Sequence, residues 1–345
     1  MQVRWRQGGD RPRGDLAAVV VALGVVLSAL VGLGPLGAAA VGTPSTVLVA
    51  NSFATGCGAA VSPGSTVLSI EVGGHARTVI VHVPSGYSGT SEVPIVLNLH
   101  GSGSTAAQLE LLSGMDAESD AQGFLVAYPQ GVIPSGAGFV WNIPGVPLRT
   151  GAISPKHPAN DVAFLSQLPG ILAHRYCVNP RQVYSTGFSG GARMTSQLAC
   201  DASSIFAAVA PVSGLRRPTP CPARRAVPIV AFHGTADPVD PYNGHGEAYW
   251  TYSVPQAARY WGAQDGCRSQ PVTSTPAVGA TLTTYTGCKA GSTVELYSVI
   301  GEGHEWPDGP PLPKVLTRVL GPQSTAVNAD AVMWAFFAAH PRPGK

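Results

Sequence analysis

Residues 183–194 read Val-Tyr-Ser-Thr-Gly-Phe-Ser-Gly-Gly-Ala-Arg-Met. The stretch predicts a strand that passes through a sharp turn directly into a helix, with Ser189 at the turn. Gly187 and Gly191 complete a G-x-S-x-G pattern, in which the residues two positions either side of the serine must be small so that strand and helix can approach each other. No other serine of the chain stands in this pattern.

The same turn predicts a site that can stabilise negative charge. It places the backbone N–H of Gly190 at a helix N-terminus, where the first amides lack intrahelical acceptors and the helix dipole favours an anion. A second donor is expected from the Gly-rich loop after His100, in particular the N–H of Ser102. A Gly/Ser turn without a catalytic role can also fit so short a pattern. The assignment of Ser189 as a nucleophile therefore depends on finding an acid and a base elsewhere in the chain.

Apolar runs alternate with helical stretches along the chain. Residues 66–72 and 77–83 predict a hairpin, and further strands are predicted at 94–100, 124–130, 206–212, 227–233, 281–286 and 294–300. Helices are predicted at 105–115, 160–176, 254–264 and 328–339, with Pro169-Gly170 expected to kink or split the second of them. Residues 131–158 are predicted to form one long loop. The alternation predicts an α/β fold with a mostly parallel sheet and a site at its carboxyl edge.

The N-terminus has the features of an export signal. Arginines precede an apolar run at 16–33, which is followed by Ala38-Ala39-Ala40 as a cleavage site. We therefore expect a signal peptide at 1–40, a lead-in segment at 41–63 and one catalytic domain at 64–345, in a secreted protein. An uncleaved membrane anchor is the alternative, because the apolar run is nearly long enough to span a bilayer.

Composition narrows the classes of partner. The formal net charge is +2 and no basic run in the predicted domain exceeds a pair, which argues against nucleic-acid binding. We expect a monomer without a membrane partner after signal cleavage. Six cysteines in an exported chain indicate disulfides, although six allow 15 pairings. Spacing hints at the pairs Cys200–Cys221 and Cys267–Cys288, which leaves Cys57–Cys177 as the third; buried free thiols are the alternative.

Ser189, Asp237 and His304 follow one another at three predicted strand ends. This is the nucleophile, acid and base order of the α/β-hydrolase arrangement. The imidazole is expected to accept the serine proton, and the carboxylate to fix the tautomer of the imidazole. Asp240 is an alternative acid, and His245 or His340 an alternative base, although each lies further from a strand end. No cofactor is expected, nor a metal, because His304-Glu305-Trp306-Pro307 lacks the second histidine of a zinc motif.

Together these motifs resemble the secreted polyhydroxybutyrate depolymerase and feruloyl esterase family of α/β-hydrolases, from about Cys57 to the terminal helix. The resemblance rests on the segments 99–103, 128–131 with 141–142, 161–164, 187–194, 233–239 with 241–244, and 303–307. It implies an α/β-hydrolase fold with helices on both faces of the sheet, the triad named above, and Trp306 beside the base as a wall of the acyl site. Arg193 departs from the family pattern without touching the triad.

We therefore expect a serine ester hydrolase for polyhydroxyalkanoate-type polyesters or hydroxycinnamoyl (feruloyl) esters, with Trp141 and Trp306 as substrate-binding walls. Small or polymeric neutral esters suit such flat apolar surfaces. The alternatives are an acetyl-sugar esterase, a serine peptidase or an acyltransferase on the same scaffold. A non-catalytic cell-wall protein that kept the fold is the alternative from another class, and it would lack a triad member.

Overall fold

The computed structural model describes residues 56–148 and 158–344. The predicted signal peptide at 1–40, most of the lead-in segment at 41–63 and part of the loop predicted at 131–158 lie outside the described residues. The domain boundaries therefore stay predictions. None of the described helices is long and apolar enough to cross a membrane.

Ten of the described strands form one sheet, in the order β1-β2-β4-β3-β7-β8-β9-β12-β11-β10, and β5 pairs with β6 separately. The run from β4 to β12 is parallel, whereas β1, β2, β10 and β11 add antiparallel edges. The predicted mostly parallel sheet is thereby confirmed. The strands are β1 (Gly64–Val72), β2 (His75–Val83), β3 (Val93–Leu99), β4 (Leu125–Pro129), β5 (Ile133–Ser135), β6 (Gly138–Val140), β7 (Val178–Phe188), β8 (Ala208–Val212), β9 (Ile229–Gly234), β10 (Val272–Ala277), β11 (Ala280–Tyr285) and β12 (Val294–Val299).

Helices cover both faces of the sheet, as expected. They are α1 (Ala106–Ser113), α2 (Met115–Gln122), α3 (Asp161–Ala173), α4 (Gly190–Asp201), α5 (Val254–Gln264), α6 (Lys314–Leu320) and α7 (Ala329–Ala339). In strand β3, Ile95 and Leu97 join the hydrophobic core formed with α3, α4 and α5, and Val96 joins the core formed with α1, α2 and α7. Alternate side chains of a strand point to opposite faces, so a continuous apolar run needs cover on both.

Helix α3 continues through Pro169, so of the kink or split expected here, the split is wrong. A proline inside a helix removes one hydrogen bond and crowds the preceding turn. Here the buried side chains of Leu165, Leu168 and Leu172 anchor the helix on both sides of the proline. Tertiary packing of one helical face therefore outweighs the local cost.

Several elements were not predicted from the sequence. The loop predicted at 131–158 contains the hairpin β5–β6, and Gly114 in the left-handed conformation ends α1 and starts the second helix α2. Strand β10 and helix α6 were also missed. Strand β10 is exposed almost throughout, and α6 buries only two residues, so neither carries a strong apolar period.

The predicted cysteine pairing is confirmed. Disulfides join Cys57 to Cys177, Cys200 to Cys221, and Cys267 to Cys288. The first ties the chain ahead of β1 to the residue before β7. The second joins the last turn of α4 to the loop that leads to β9, and so fixes the far end of the helix that follows Ser189.

Candidate active site

Ser189 stands on a strained turn between β7 and α4. Its φ of 54° and ψ of −113° lie in a region that residues with a side chain rarely adopt. A Cβ atom at Gly187 would lie 2.7 Å from the Leu99 carbonyl oxygen, and one at Gly191 would overlap the same oxygen. Only glycine at both positions lets β7 and α4 pass this close to β3. The local geometry therefore agrees with the turn that the sequence pattern predicts.

Gly190 and Ser102, the predicted oxyanion donors, are in contact beside Ser189. A Cβ atom at Gly190 would lie 2.9 Å from the backbone nitrogen of Ser102 and would overlap its hydroxyl. Gly190 begins α4, so its N–H lacks an acceptor within the helix. Two backbone N–H groups placed next to a nucleophile form the arrangement that stabilises a tetrahedral oxyanion.

His100 holds the loop that carries Ser102. Its Nδ1 lies 2.8 Å from the Gly101 carbonyl oxygen, and its Nε2 lies 2.9 Å from the backbone nitrogen of Gly131. A carbonyl accepts and an amide N–H donates, so Nδ1 carries the proton and Nε2 accepts. Burial lowers the pKa of His100 to about 4, and the ring therefore stays neutral at pH 7. This role is not evident from the sequence, where His100 only marks the end of a strand.

A short hydrogen bond joins His304 to Asp237. Nδ1 of the imidazole lies 2.7 Å from Oδ2 of the carboxylate, and both side chains are buried. Asp237 follows β9 and His304 follows β12, and these strands are parallel neighbours in the sheet. The structure thus brings together the residues predicted as acid and base.

The carboxylate of Asp237 accepts three hydrogen bonds, one of them from His304, and faces a second imidazole. Its Oδ1 accepts the backbone N–H groups of Val239 and Asp240 at 2.7 and 2.8 Å, and its Oδ2 also lies 3.2 Å from Nε2 of His233. Burial raises the pKa of Asp237, but the imidazoles of His304 and His233 lower it by more, so that the pKa lies well below its usual range. Asp237 is therefore ionised at neutral pH and can orient the imidazole.

The residue before the nucleophile packs against the base. The ring of Phe188 lies 4.9 Å from the ring of His304, between centroids. Among the described residues no hydrogen bond joins Ser189 Oγ to His304. Such bonds are often long without substrate and tighten when it binds. Ser189, Asp237 and His304 thus share the carboxyl edge of the sheet.

The alternative acid and bases lie elsewhere. Asp240 accepts a hydrogen bond from Nη1 of Arg193 at 2.5 Å. His245 is exposed in the loop after β9, and His340 lies beside Thr293 at the amino end of β12, the opposite edge of the sheet. The geometry therefore favours the acid and base described above.

The two tryptophans predicted as substrate walls are buried. Trp141 donates to the His100 carbonyl oxygen at 2.8 Å and stacks on the ring of His100, which supports the oxyanion loop. Trp306 has no exposed surface and donates to Asp330 of α7 at 3.1 Å. Both rings thus hold loops of the site in place, and a direct contact of either with substrate stays a prediction.

Arg193 of α4 connects the oxyanion loop with the loop of the acid. Its guanidinium is buried, donates to Asp240 and lies 3.4 Å from the hydroxyl oxygen of Ser102. The same group stands 4.5 Å from the ring centroid of Tyr249. Arg193 does not touch the triad, as expected, yet it contacts residues on both sides of the triad. The sequence shows only a departure from the family pattern at this position.

Two buried glutamates bracket the base. Glu302 and Glu305 are each 1% exposed, and within the described residues their carboxyl oxygens have no hydrogen-bond partner. Burial, with Glu305 and Asp237 nearby, raises the pKa of Glu302 to about 9. Burial and the charge of Asp237 raise the pKa of Glu305 to about 8. Both carboxyls are therefore neutral at pH 7 and add no negative charge beside Asp237.

Several known proteins are similar in sequence to this chain over much of its length. Residues 78–245 match the family model described as Esterase PHB depolymerase. Feruloyl esterase B of Piromyces equi is 30% identical over 248 residues, which cover 68% of this chain and 43% of that protein. NocK of Nocardia uniformis subsp. tsuyamanensis, a protein named as an esterase, is 30% identical over 290 residues, which cover 76% of this chain and 82% of that protein.

Among solved structures, an S-formylglutathione hydrolase from Agrobacterium tumefaciens matches with a TM-score of 0.49 and 14% identity, over 80% of this chain and 96% of that chain. Sequence similarity establishes the family, because the 30% identity with NocK extends over 82% of that protein. The resemblance predicted from the sequence is thereby confirmed, and this chain belongs to the Esterase PHB depolymerase family.

Proposed function

We propose that this protein is a serine carboxylic-ester hydrolase that works through an acyl-enzyme on Ser189. The observation that carries the proposal is the 2.7 Å contact between His304 and Asp237, at the same sheet edge as the strained turn of Ser189. A serine hydroxyl is a weak nucleophile unless an adjacent base removes its proton. Family membership supports the activity, since the matched relatives are named as esterases.

Acylation begins when Ser189 Oγ attacks the ester carbonyl carbon. Nδ1 of His304 carries the proton that it shares with Asp237, so Nε2 is free to accept the proton of the serine. The oxygen of the tetrahedral intermediate gains negative charge and accepts hydrogen bonds from the N–H groups of Gly190 and Ser102. When the intermediate collapses, the ester C–O bond breaks and the alcohol leaves with the proton held by Nε2.

Deacylation repeats these steps with water. His304 removes a proton from the water molecule as its oxygen attacks the acyl carbon, and the same two amides stabilise the second oxyanion. Collapse returns the proton to Ser189 Oγ and releases the carboxylic acid. Asp237 keeps its charge throughout and stabilises the imidazolium that forms in each half-reaction.

We propose an ester with a neutral acyl group as substrate, either a hydroxyalkanoate polyester end or a hydroxycinnamoyl group. Arg193, the cation beside the oxyanion loop, is paired with Asp240, so it offers no free charge to a substrate carboxylate. The family description names PHB depolymerase, and a matched relative is named as a feruloyl esterase. Neither substrate class needs a charge partner in the acyl site.

The test is kcat/KM for hydroxybutyrate oligomers, methyl ferulate, an acetylated sugar and a peptide amide under one set of conditions. We expect the two neutral-acyl esters to be preferred, and Ser189→Ala to remove turnover of both while leaving the melting temperature unchanged. A preference for the peptide amide would overturn the esterase assignment. A preference for the acetylated sugar would leave the mechanism standing and remove this substrate class.

We also propose that the protein is secreted and acts as a monomer. Three disulfides support export, because disulfides persist in oxidising compartments. N-terminal sequencing of exported protein should give a start near Val41, whereas a retained N-terminus in the membrane fraction would favour the anchor. Size-exclusion chromatography of the mature protein tests the monomer.

A further inference from the structure

A second imidazole faces the carboxylate of Asp237. His233 is the penultimate residue of β9 and has no exposed surface. Its Nε2 lies 3.2 Å from Oδ2 of Asp237 and 2.8 Å from the carbonyl oxygen of Asp240. The same Oδ2 lies 2.7 Å from Nδ1 of His304. One carboxylate oxygen therefore stands between two histidines.

The neighbours of Nε2 settle which ring atom of His233 carries the proton. Both are acceptors, a carboxylate and a carbonyl, so Nε2 must donate. Nδ1 is buried and has no hydrogen-bond partner among the described residues. A second proton on Nδ1 would leave the Nε2–H in place, so in either charge state Nε2 donates to the Asp240 carbonyl oxygen and stands 3.2 Å from Oδ2 of Asp237.

Aromatic packing fixes the ring of His233. It stacks on Trp250 with 5.7 Å between centroids, and the ring of Tyr242 stands edge-on to it at 6.1 Å. Trp250 donates to the Pro241 carbonyl oxygen at 2.9 Å, and the hydroxyl of Tyr242 lies 2.6 Å from that of Ser298. His233 therefore cannot turn away from Asp237 without disturbing both rings.

We propose that His233 is a positioning residue, whose Nε2–H holds the Asp237 carboxylate towards His304 and offsets part of its negative charge. The inference rests on the proposed role of Asp237 as the group that orients the base. Without this donor, more of the carboxylate charge would act on His304 and favour its protonated form. The free base would then appear only at higher pH.

Other charges around this pair stay constant at acidic pH. Arg193 remains a cation paired with Asp240. Burial keeps the pKa of Glu302 at about 9 and that of Glu305 at about 8, so both stay neutral at acidic pH. Burial lowers the pKa of His233, and Asp237 and Asp240 raise it by more, so the ring gains positive charge as pH falls. The acid limb of the pH profile therefore reports on the two histidines and Asp237.

Three variants of His233 distinguish the effect of losing the N–H donor from the effect of losing the volume of the ring. His233→Leu removes the donor, and His233→Asn carries an amide too short to reach Asp237, whereas His233→Gln places an amide N–H near the position of Nε2. The measurements are kcat and KM across pH, a thermal melt, and an NMR titration of the His304 imidazole in the Ser189→Ala background.

We expect His233→Leu and His233→Asn to move the acid limb of kcat/KM to higher pH by about one unit, the size of a lost hydrogen bond to a charged group. Maximal kcat should fall on the order of tenfold with KM unchanged, since His233 is buried away from substrate and acts through geometry. His233→Gln should return the acid limb close to its wild-type position. If His233→Leu fails to fold, the Asn and Gln pair decides.

Loss of kcat in all three variants with no movement of the acid limb would mean that His233 has a structural role only, and would overturn the proposal. Wild-type pH profiles in His233→Leu and His233→Asn would overturn it as well. The NMR titration requires no turnover. If the wild-type protein hydrolyses none of the esters, the proposed function fails, while an unmoved His304 titration in His233→Asn is what refutes the role of His233.

Discussion

Nδ1 of His304 lies 2.7 Å from Oδ2 of Asp237, although 67 residues separate them in the sequence. The contact arises from the sheet, because Val299 of β12 pairs with Gly234 of β9 in parallel register. Both strands therefore end at the same level and their loops leave at one edge. Asp240, three residues further along, is held by Arg193 instead.

This difference predicts unequal effects at the two aspartates. Asp237→Asn should lower kcat about ten-thousandfold, because an amide no longer fixes the productive imidazole tautomer. Asp240→Asn should retain far more activity but lower the free energy of unfolding by about 3 kcal/mol or more, since it leaves the buried Arg193 without its counter-charge. Ester hydrolysis and denaturant unfolding measure both effects. A harmless Asp237→Asn beside a crippling Asp240→Asn would show that the acid is misassigned.

Gly191→Ala should prevent correct folding. The added Cβ would overlap the backbone oxygen of Leu99, which cannot move without displacing β3 from β7. Gly170→Ala is the matched control, because nothing lies within 4 Å of its added Cβ and it stands inside α3. This control should gain about 0.5–1 kcal/mol in stability. Soluble yield and thermal melts give the comparison, and a folded, active Gly191→Ala protein would refute the close approach.

The buried glutamates predict that stability falls as pH rises. Burial raises the pKa of Glu302 from 4.5 to about 9 and that of Glu305 from 4.5 to about 8. Above pH 4.5 the unfolded chain releases protons that the folded protein keeps, so the stability present at lower pH is lost progressively up to pH 8 or 9. Glu305→Gln and Glu302→Gln should flatten this loss. Melting temperatures from pH 5 to about 9 test it, and a wild-type curve rising over that range would contradict it.

Removal of the Cys200–Cys221 disulfide by paired Cys→Ser changes should destabilise the protein by about 3 kcal/mol in the chain-entropy model. The bridge joins two cysteines with a sequence separation of 21 and holds the end of the helix that follows Ser189. Urea unfolding of the oxidised wild type and the double variant measures the difference. Equal midpoints would show that the bridge contributes nothing to stability.

Short-range patterns account for what could be predicted. Ser189 and its two glycines meet a steric rule that operates within five residues, so the turn is readable from the sequence. Asp237 and His304 follow buried strands, and parallel strands bring their carboxyl ends to one edge. The pairs Cys200–Cys221 and Cys267–Cys288 follow from spacing, whereas Cys57–Cys177, 120 residues apart, follows only as the remaining pair.

Features that depend on distant partners could not be predicted. Arg193 pairs with Asp240 across 47 residues, and no local pattern marks that contact. The hairpin β5–β6 lies in a Gly/Pro-rich stretch and is held by Phe139, whose backbone N–H donates to the Ser104 carbonyl oxygen. His233 has the same limitation, because its role depends on which atoms surround Nε2.

Covalent trapping of the nucleophile shows whether Ser189 is the residue that attacks the ester. The mature protein would be treated with a fluorophosphonate during ester hydrolysis, then digested and mapped by mass spectrometry. We predict one adduct, on Ser189, that grows in proportion to the loss of activity and is absent from Ser189→Ala. Inactivation with the adduct on another residue, or continued hydrolysis by protein fully labelled at Ser189, would contradict the proposed mechanism.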